Sequence, residues 1–215
     1  MELHNIKRLV RDGETATVEF KRKVRHPEKI VRELVAFANS KGGHLFIGVD
    51  DDRSIPGVKF PEEELYVMER AIRELCRPVL IYKASITPLS DRHGIVVLEV
   101  PESTIKPHYA RETKHQRWGK AYVRVEDKSL QASKELCRVL RGEKSESSSG
   151  FMYGDHEKLL MNLLGENEHI TLKQYSKHAG LSPHHASDIL VRMTLNNVLR
   201  IIPKERGDLF EFVGH

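Results

Sequence analysis

Four cations stand within five positions at Lys21, Arg22, Lys23 and Arg25, and four more fall within ten at Arg111, Lys114, Arg117 and Lys120. The second group holds Trp118, the one tryptophan of the chain, and has His108, Tyr109 and His115 beside it. Cations at this density suit a polyanion, because each phosphate contact releases condensed counterions, and an aromatic ring among them suits a stacked base. Trp118 has a second reading, as a cover over the edge of a core. Residues 1–144 carry 28 Lys and Arg against 22 Asp and Glu, while residues 145–215 carry 7 against 9. The positive excess therefore lies wholly in the longer, N-terminal part.

Other clusters exclude chemistry. Asn39-Ser40-Lys41-Gly42-Gly43 leads from a helix into a strand, whereas a phosphate-cradling P-loop leads from strand into helix and ends in Gly-Lys-Ser/Thr. The two glycines read instead as a helix C-cap with close backbone approach. His178, His184 and His185 do not make a metal site, because adjacent histidines on a helix point about 100° apart. Cys76 and Cys137 fall at apolar helical positions and read as buried free thiols. With no basic and apolar leader pattern at the N-terminus, they place the chain in a reducing, cytoplasmic setting. Apolar runs such as Ile95-Val96-Val97-Leu98 are strand-sized, far short of the roughly 20 residues of a membrane span, so no membrane partner is expected.

The elements that must position these residues follow from periodicity. Thr17 to Lys21 alternates as a strand, with Glu19 and Lys21 on one face. Pro27 opens a helix ending between Phe37 and Asn39, and His44 to Val49 is a buried strand entering an Asp-rich turn. A helix over 61–77 precedes strands over 81–88 and 94–100, another strand spans 121–125, and Ser129 caps a last helix carrying Leu130, Leu136, Cys137 and Leu140. This order predicts an α+β fold, a mixed sheet with helices packed on it. Glu143 to Gly150 holds four serines, three charges and no apolar residue, which is linker composition. Domains are therefore expected over 1–142 and 151–215, joined by the linker 143–150. The second domain shows helices over 155–164, from the Thr171 cap to Gly180, and from the Ser182 cap, then strands over 199–203 and 209–213. Helix, helix, turn, helix and basic-tipped hairpin is the layout of a small winged-helix domain. Its groove-facing residues are Ser182, His184, His185, Ser187, Asp188 and Arg192, with Lys204 and Arg206 at the wing tip.

Three stretches stand in a recognisable order: Glu14-Thr15-Ala16-Thr17-Val18-Glu19-Phe20-Lys21, Ala36-Phe37-Ala38-Asn39-Ser40-Lys41-Gly42-Gly43, and Leu45-Phe46-Ile47-Gly48-Val49-Asp50-Asp51, which closes at Gly57. Together with Lys106-Pro107-His108-Tyr109 and Ala121-Tyr122-Val123-Arg124-Val125, they resemble the Schlafen-type AlbA-like domain over about residues 10–130. The resemblance implies nucleic-acid binding, with Arg124 among the contacts. Many members follow that last arginine with a small residue and a glycine, where Val125-Glu126-Asp127 stands here. In Schlafen nucleases that cut structured RNA the resembling positions form an acidic site, which Glu14, Glu19, Lys21 and Asp50 match one by one. Such a site implies that Glu14, Glu19 and Asp50 hold Mg or Mn ions that activate water, while the lysine offsets charge on phosphate.

The leading expectation is a nucleic-acid-binding protein, a DNA-binding transcriptional regulator that forms a homodimer and needs no cofactor. One alternative is a divalent-metal-dependent endoribonuclease acting on structured RNA. The other is a protein-interaction adaptor that works through the winged helix.

Overall fold

Short apolar strands, buried along nearly their whole length, build a sheet whose two faces are covered by different helices. The computed structural model describes residues 1–142 and 154–214, so the expected linker 143–150 lies outside the described residues. The chain divides into two compact units, Met1–Gln131 and Ala132–His215.

The first unit opens with a helix absent from the sequence reading, α1 (Leu3–Asp12), followed by β1 (Val18–Lys21), α2 (Pro27–Asn39), β2 (Gly43–Ile47), β3 (Val58–Lys59) and α3 (Pro61–Leu75). After it come β4 (Cys76–Arg77), β5 (Lys83–Pro88), β6 (His93–Val100), β7 (Tyr109–Ala110), β8 (Tyr122–Val125) and β9 (Lys128–Gln131). The sheet is mixed: β1 runs parallel to β2, with Glu19 opposite Leu45, and β2 runs antiparallel to β6, with Leu45 opposite Leu98. β6 also pairs with β3 and β5, so β1 lies at an edge.

Period-two alternation sorts the core into two layers. Leu45, Ile47, Val96 and Leu98 pack with Ile30, Leu34 and Phe37 of α2 and with Met68 and Ile72 of α3. Phe46, Ile95 and Val97 on the other face join Val18 and Phe20 beneath Ile6 and Val10 of α1. Gly42 has φ +76°, and a Cβ there would lie 2.7 Å from the Val100 carbonyl oxygen, so the close approach expected at the end of α2 is present.

The sequence reading needs correction at the C-terminal end of this unit. Ser129 does not cap a helix; Lys128–Gln131 is a strand that forms a hairpin with β8, Val123 opposite Leu130. At its turn Glu126 holds φ +55°, the left-handed backbone that glycine tolerates best, which is where many relatives place glycine. The helix begins four residues later, as α4 (Lys134–Arg141), with the Ser133 hydroxyl accepting from the Leu136 N–H. It groups with the second unit, not the first.

That second unit continues with α5 (Asp155–Glu166), α6 (Leu172–Ala179), α7 (Pro183–Leu195) and the hairpin of β10 (Leu199–Ile202) and β11 (Leu209–Phe212). The Thr171 and Ser182 side chains cap α6 and α7 as the sequence predicts. Leu160, Leu164, Tyr175, Ile189, Leu190, Met193 and Phe210 form its core.

Two substitutions test the backbone argument by urea denaturation. Gly42→Ala puts a methyl against backbone at a positive φ and is expected to lower stability by about 2 kcal/mol or more. Glu126→Gly relieves the turn and is expected to raise it by roughly 1 kcal/mol.

Candidate nucleic-acid interface

Strand alternation puts Glu19 and Lys21 on one face of β1, as expected, but that face turns inward, toward α2 and the β8–β9 hairpin. Glu19 is 5% exposed and accepts hydrogen bonds from the Lys21 ammonium and from Arg124 Nη1 at 3.0 Å. Arg124 reaches it from β8 with a side chain only 1% exposed. The same Nη1 donates to Glu33 Oε2 at 2.8 Å and to Ser129 Oγ at 3.1 Å, while Nη2 donates to the carbonyls of Thr15 at 2.7 Å and Asp127 at 2.9 Å. The guanidinium also lies over the Phe37 ring. Arg124, expected among the nucleic-acid contacts, is therefore internal: its terminal nitrogens donate to protein acceptors and no surface is left for phosphate. Glu33, which sequence reasoning missed, completes this cluster. Its one visible signal is a charged pair, Arg32-Glu33, set between the apolar stretches Ile30-Val31 and Leu34 to Ala38 of α2. Burial first, then the Glu19 carboxylate, pushes Glu33 above the usual carboxylate range, against the Ser129 hydrogen bond and the Arg124 and Lys21 charges.

The other acidic residues do not join this group. Glu14 spends Oε1 on the Phe20 N–H at 2.9 Å. Desolvation raises the pKa of its carboxyl, opposed by that N–H, raised further by Glu19 and Asp51 and lowered by Lys21. Asp51, rather than Asp50, is thus the aspartate whose charge reaches Glu14. Asp50 instead pairs with Arg22 Nε at 3.2 Å. Among the described residues no group of three or more His, Cys, Asp or Glu side chains could hold a metal ion. An amide, an ammonium and two guanidinium groups engage oxygens of Glu14, Glu19 and Asp50, so a Mg or Mn ion on these residues would have to displace protein donors.

Outward-facing charge lies elsewhere. Lys23 and Arg25 are exposed, whereas Arg22 donates to the Gly57 carbonyl as well as pairing with Asp50. The segment between β7 and β8 is a built finger. Ala110 and Lys120 exchange backbone hydrogen bonds of 2.8 Å at its base. Arg111 holds it from inside, with Nη2 on the Glu74 carbonyl and Nη1 on the Gln116 carbonyl at 3.2 Å, which removes this arginine from the expected phosphate contacts. Asn39, 2% exposed, fastens the start and end of the segment: its Nδ2 donates to the carbonyls of His108 and Tyr122, both at 2.9 Å, and its Oδ1 accepts from the His108 N–H at 2.7 Å. Lys114, Arg117 and Lys120 are exposed on this frame. Trp118 is 73% exposed, with the Arg117 guanidinium 5.2 Å from its ring centre, so it covers no core edge.

In the second unit, His184, His185, Lys204 and Arg206 are exposed, as expected for α7 and the hairpin tip. Three residues of the expected groove face are not available. Ser187 is buried between Glu135 and Arg138 of α4, and Asp188 pairs with Arg138 at 2.8 Å. Arg192 turns into Glu157 of α5, a carboxylate 5% exposed, and is corrected from a contact residue to a packing one.

Residues 14–133, more than half of the chain, match the family described as Schlafen, AlbA_2. No curated protein matches. One solved structure similar to this chain is the DIP2311 protein from Corynebacterium diphtheriae, with 16% identity and a TM-score of 0.45 over 69% of this chain and 29% of that one. Another is the N-terminal domain of a RecG-related protein from Nitrosomonas europaea, with 20% identity and a TM-score of 0.43 over 71% of this chain and 95% of that one. The chain thus spans less than a third of the first.

Arg124→Met leaves Glu33 without its cation and Glu19 with Lys21 alone, and is expected to cost about 3–5 kcal/mol in chemical denaturation. Glu33 makes a pH prediction. Its folded pKa lies above the ordinary 4.5, so its protonated form stabilises the fold below that value and the contribution is lost as pH rises through the folded pKa. Glu33→Gln should flatten the fall in thermal midpoint between pH about 4.5 and neutrality; an unchanged profile would contradict the assignment.

Proposed function

The chain belongs to the Schlafen, AlbA_2 family over residues 14–133, and from that premise we propose that it binds nucleic acid through the exposed cations of its first unit. The observation that carries the reading is the separation of charges. The buried Glu19 and half-buried Glu33 are neutralised by Arg124, with Lys21 also on Glu19, while Lys23, Arg25, Lys114, Arg117 and Lys120 face solvent. Cations held on a fixed frame bind phosphate without first having to be ordered. The biological role that fits such binding is transcriptional regulation by a cytoplasmic homodimer.

A second reading applies to the C-terminal unit. Its helices and hairpin follow the winged-helix layout, but α4 and α5 engage the α7 residues that would enter a groove. This favours contact with protein, as a dimerisation or adaptor module, over base reading by α7.

Binding of a labelled oligonucleotide by the full chain is expected to weaken linearly in log affinity against log salt. Replacing Lys114, Arg117 and Lys120 together by Ala should reduce the slope by about 2 to 3. Affinity indifferent to salt would end the proposal.

A further inference from the structure

The finger holds a feature that phosphate binding leaves unused. Phe20, Phe37, Phe46, Tyr175 and Phe210 are fully buried, whereas the Trp118 indole stands 73% exposed, more than the exposed rings of Tyr66 at 64% and Phe60 at 43%. Its place is fixed. Beside it Gly119 lies so close to β7 that a Cβ would meet the Ala110 carbonyl oxygen at 2.7 Å. Across the finger, the Glu112 N–H donates to the Gln116 side chain at 2.8 Å and Arg32 pairs with Glu112 at 3.4 Å. Arg117 sits against the ring, and Lys114 and Lys120 are exposed on the same finger.

We propose that Trp118 is a stacking platform for unpaired bases, so that the chain takes single-stranded DNA or RNA in preference to duplex. The proposal rests on the nucleic-acid reading above and names its substrate class. In a duplex both faces of each base are covered by neighbours, and an indole has nothing to stack on unless a base is extruded. In a single strand the faces are accessible, the backbone charge runs close beside them, and Trp118 with its three neighbouring cations matches that pairing of π-face and phosphate. A protein partner fits less well, because burying the indole would also desolvate Lys114, Arg117 and Lys120, and unpaired buried cations are costly.

Because Trp118 is the one tryptophan in the chain, intrinsic fluorescence reports on this site alone. The full chain is titrated with oligo-dT and oligo-U strands of about a dozen residues, and with a mixed-sequence strand of that length, alone and annealed to its complement. Emission should be quenched by the single strands, the dT and U arms showing which sugar is preferred. By anisotropy, single-strand affinity should fall about 5- to 150-fold in Trp118→Ala and be largely kept in Trp118→Phe, with duplex affinity changed less than about twofold. Salt-dependent binding that is equal for strand and duplex and unaffected by Trp118→Ala overturns the stacking proposal and leaves the phosphate reading standing. Emission that changes with protein concentration and not with oligonucleotide marks the indole as a protein contact and overturns it too. Absence of binding to either form removes the underlying reading as well.

Discussion

One guanidinium holds the first unit to a single arrangement. Arg124 is buried with the carboxylates of Glu19 and Glu33 on Nη1 and two backbone carbonyls on Nη2. Charges so deeply placed are tolerable only when hydrogen-bonded on several sides, since desolvation of an ion costs several kcal/mol before any attraction repays it. Those partners come from the Thr15 turn, β1, α2 and the β8–β9 hairpin. Sliding any one of these elements leaves an unpaired charge, which makes the cluster a device for register as much as for stability. It also explains why an edge strand withdraws Glu19 from solvent while Lys21 keeps about a third of its side chain exposed.

The finger depends on this arrangement at one remove. β8, anchored by Arg124, supplies the Tyr122 carbonyl that Asn39 grips along with His108, so the two ends of the segment are fixed to the end of α2. Arg111 then spends its charge on carbonyls within the finger and at the end of α3. Internal arginines set the frame, and lysines with Arg117 carry the outward charge. The division is physical: a planar fork with five donors satisfies several fixed acceptors at once, while a flexible ammonium stays hydrated.

Much of the fold was legible in the sequence. The alternating strand at Val18–Lys21, the apolar run at Ile95–Val100, the Pro27 and Pro61 helix starts and the Thr171 and Ser182 caps all appear where pattern and capping place them. α1 was legible too and was passed over: Leu3, Ile6, Leu9 and Val10 stand at helical spacing and pack together on the second core layer. Ser129 and Ser133 both precede helix-compatible residues, and what decides between them is the pairing of β9 with β8, a tertiary fact. The site was legible by residue type and not by role. Arg25 and Arg117 look in sequence like Arg111, Arg124 and Arg192. What separates them is an acceptor far along the chain, 37 positions away at Glu74 for Arg111, 105 at Glu19 for Arg124 and 35 at Glu157 for Arg192. A reading confined to neighbours cannot see such partners. The pairing of Asp50 with Arg22 is likewise invisible in the sequence pattern.

The position of α4 bears on how the C-terminal unit could be inherited or borrowed. Ser133 donates to the half-buried Asp208 carboxylate, Glu135 and Arg138 bind Ser187, and Arg138 pairs with Asp188. A gene fusion that copied only the stretch after the serines would deliver α7 and the hairpin with those polar groups bereft of partners. A chain cut before Ala132 keeps α4 with the residues that it caps and pairs, within the compact unit Ala132–His215.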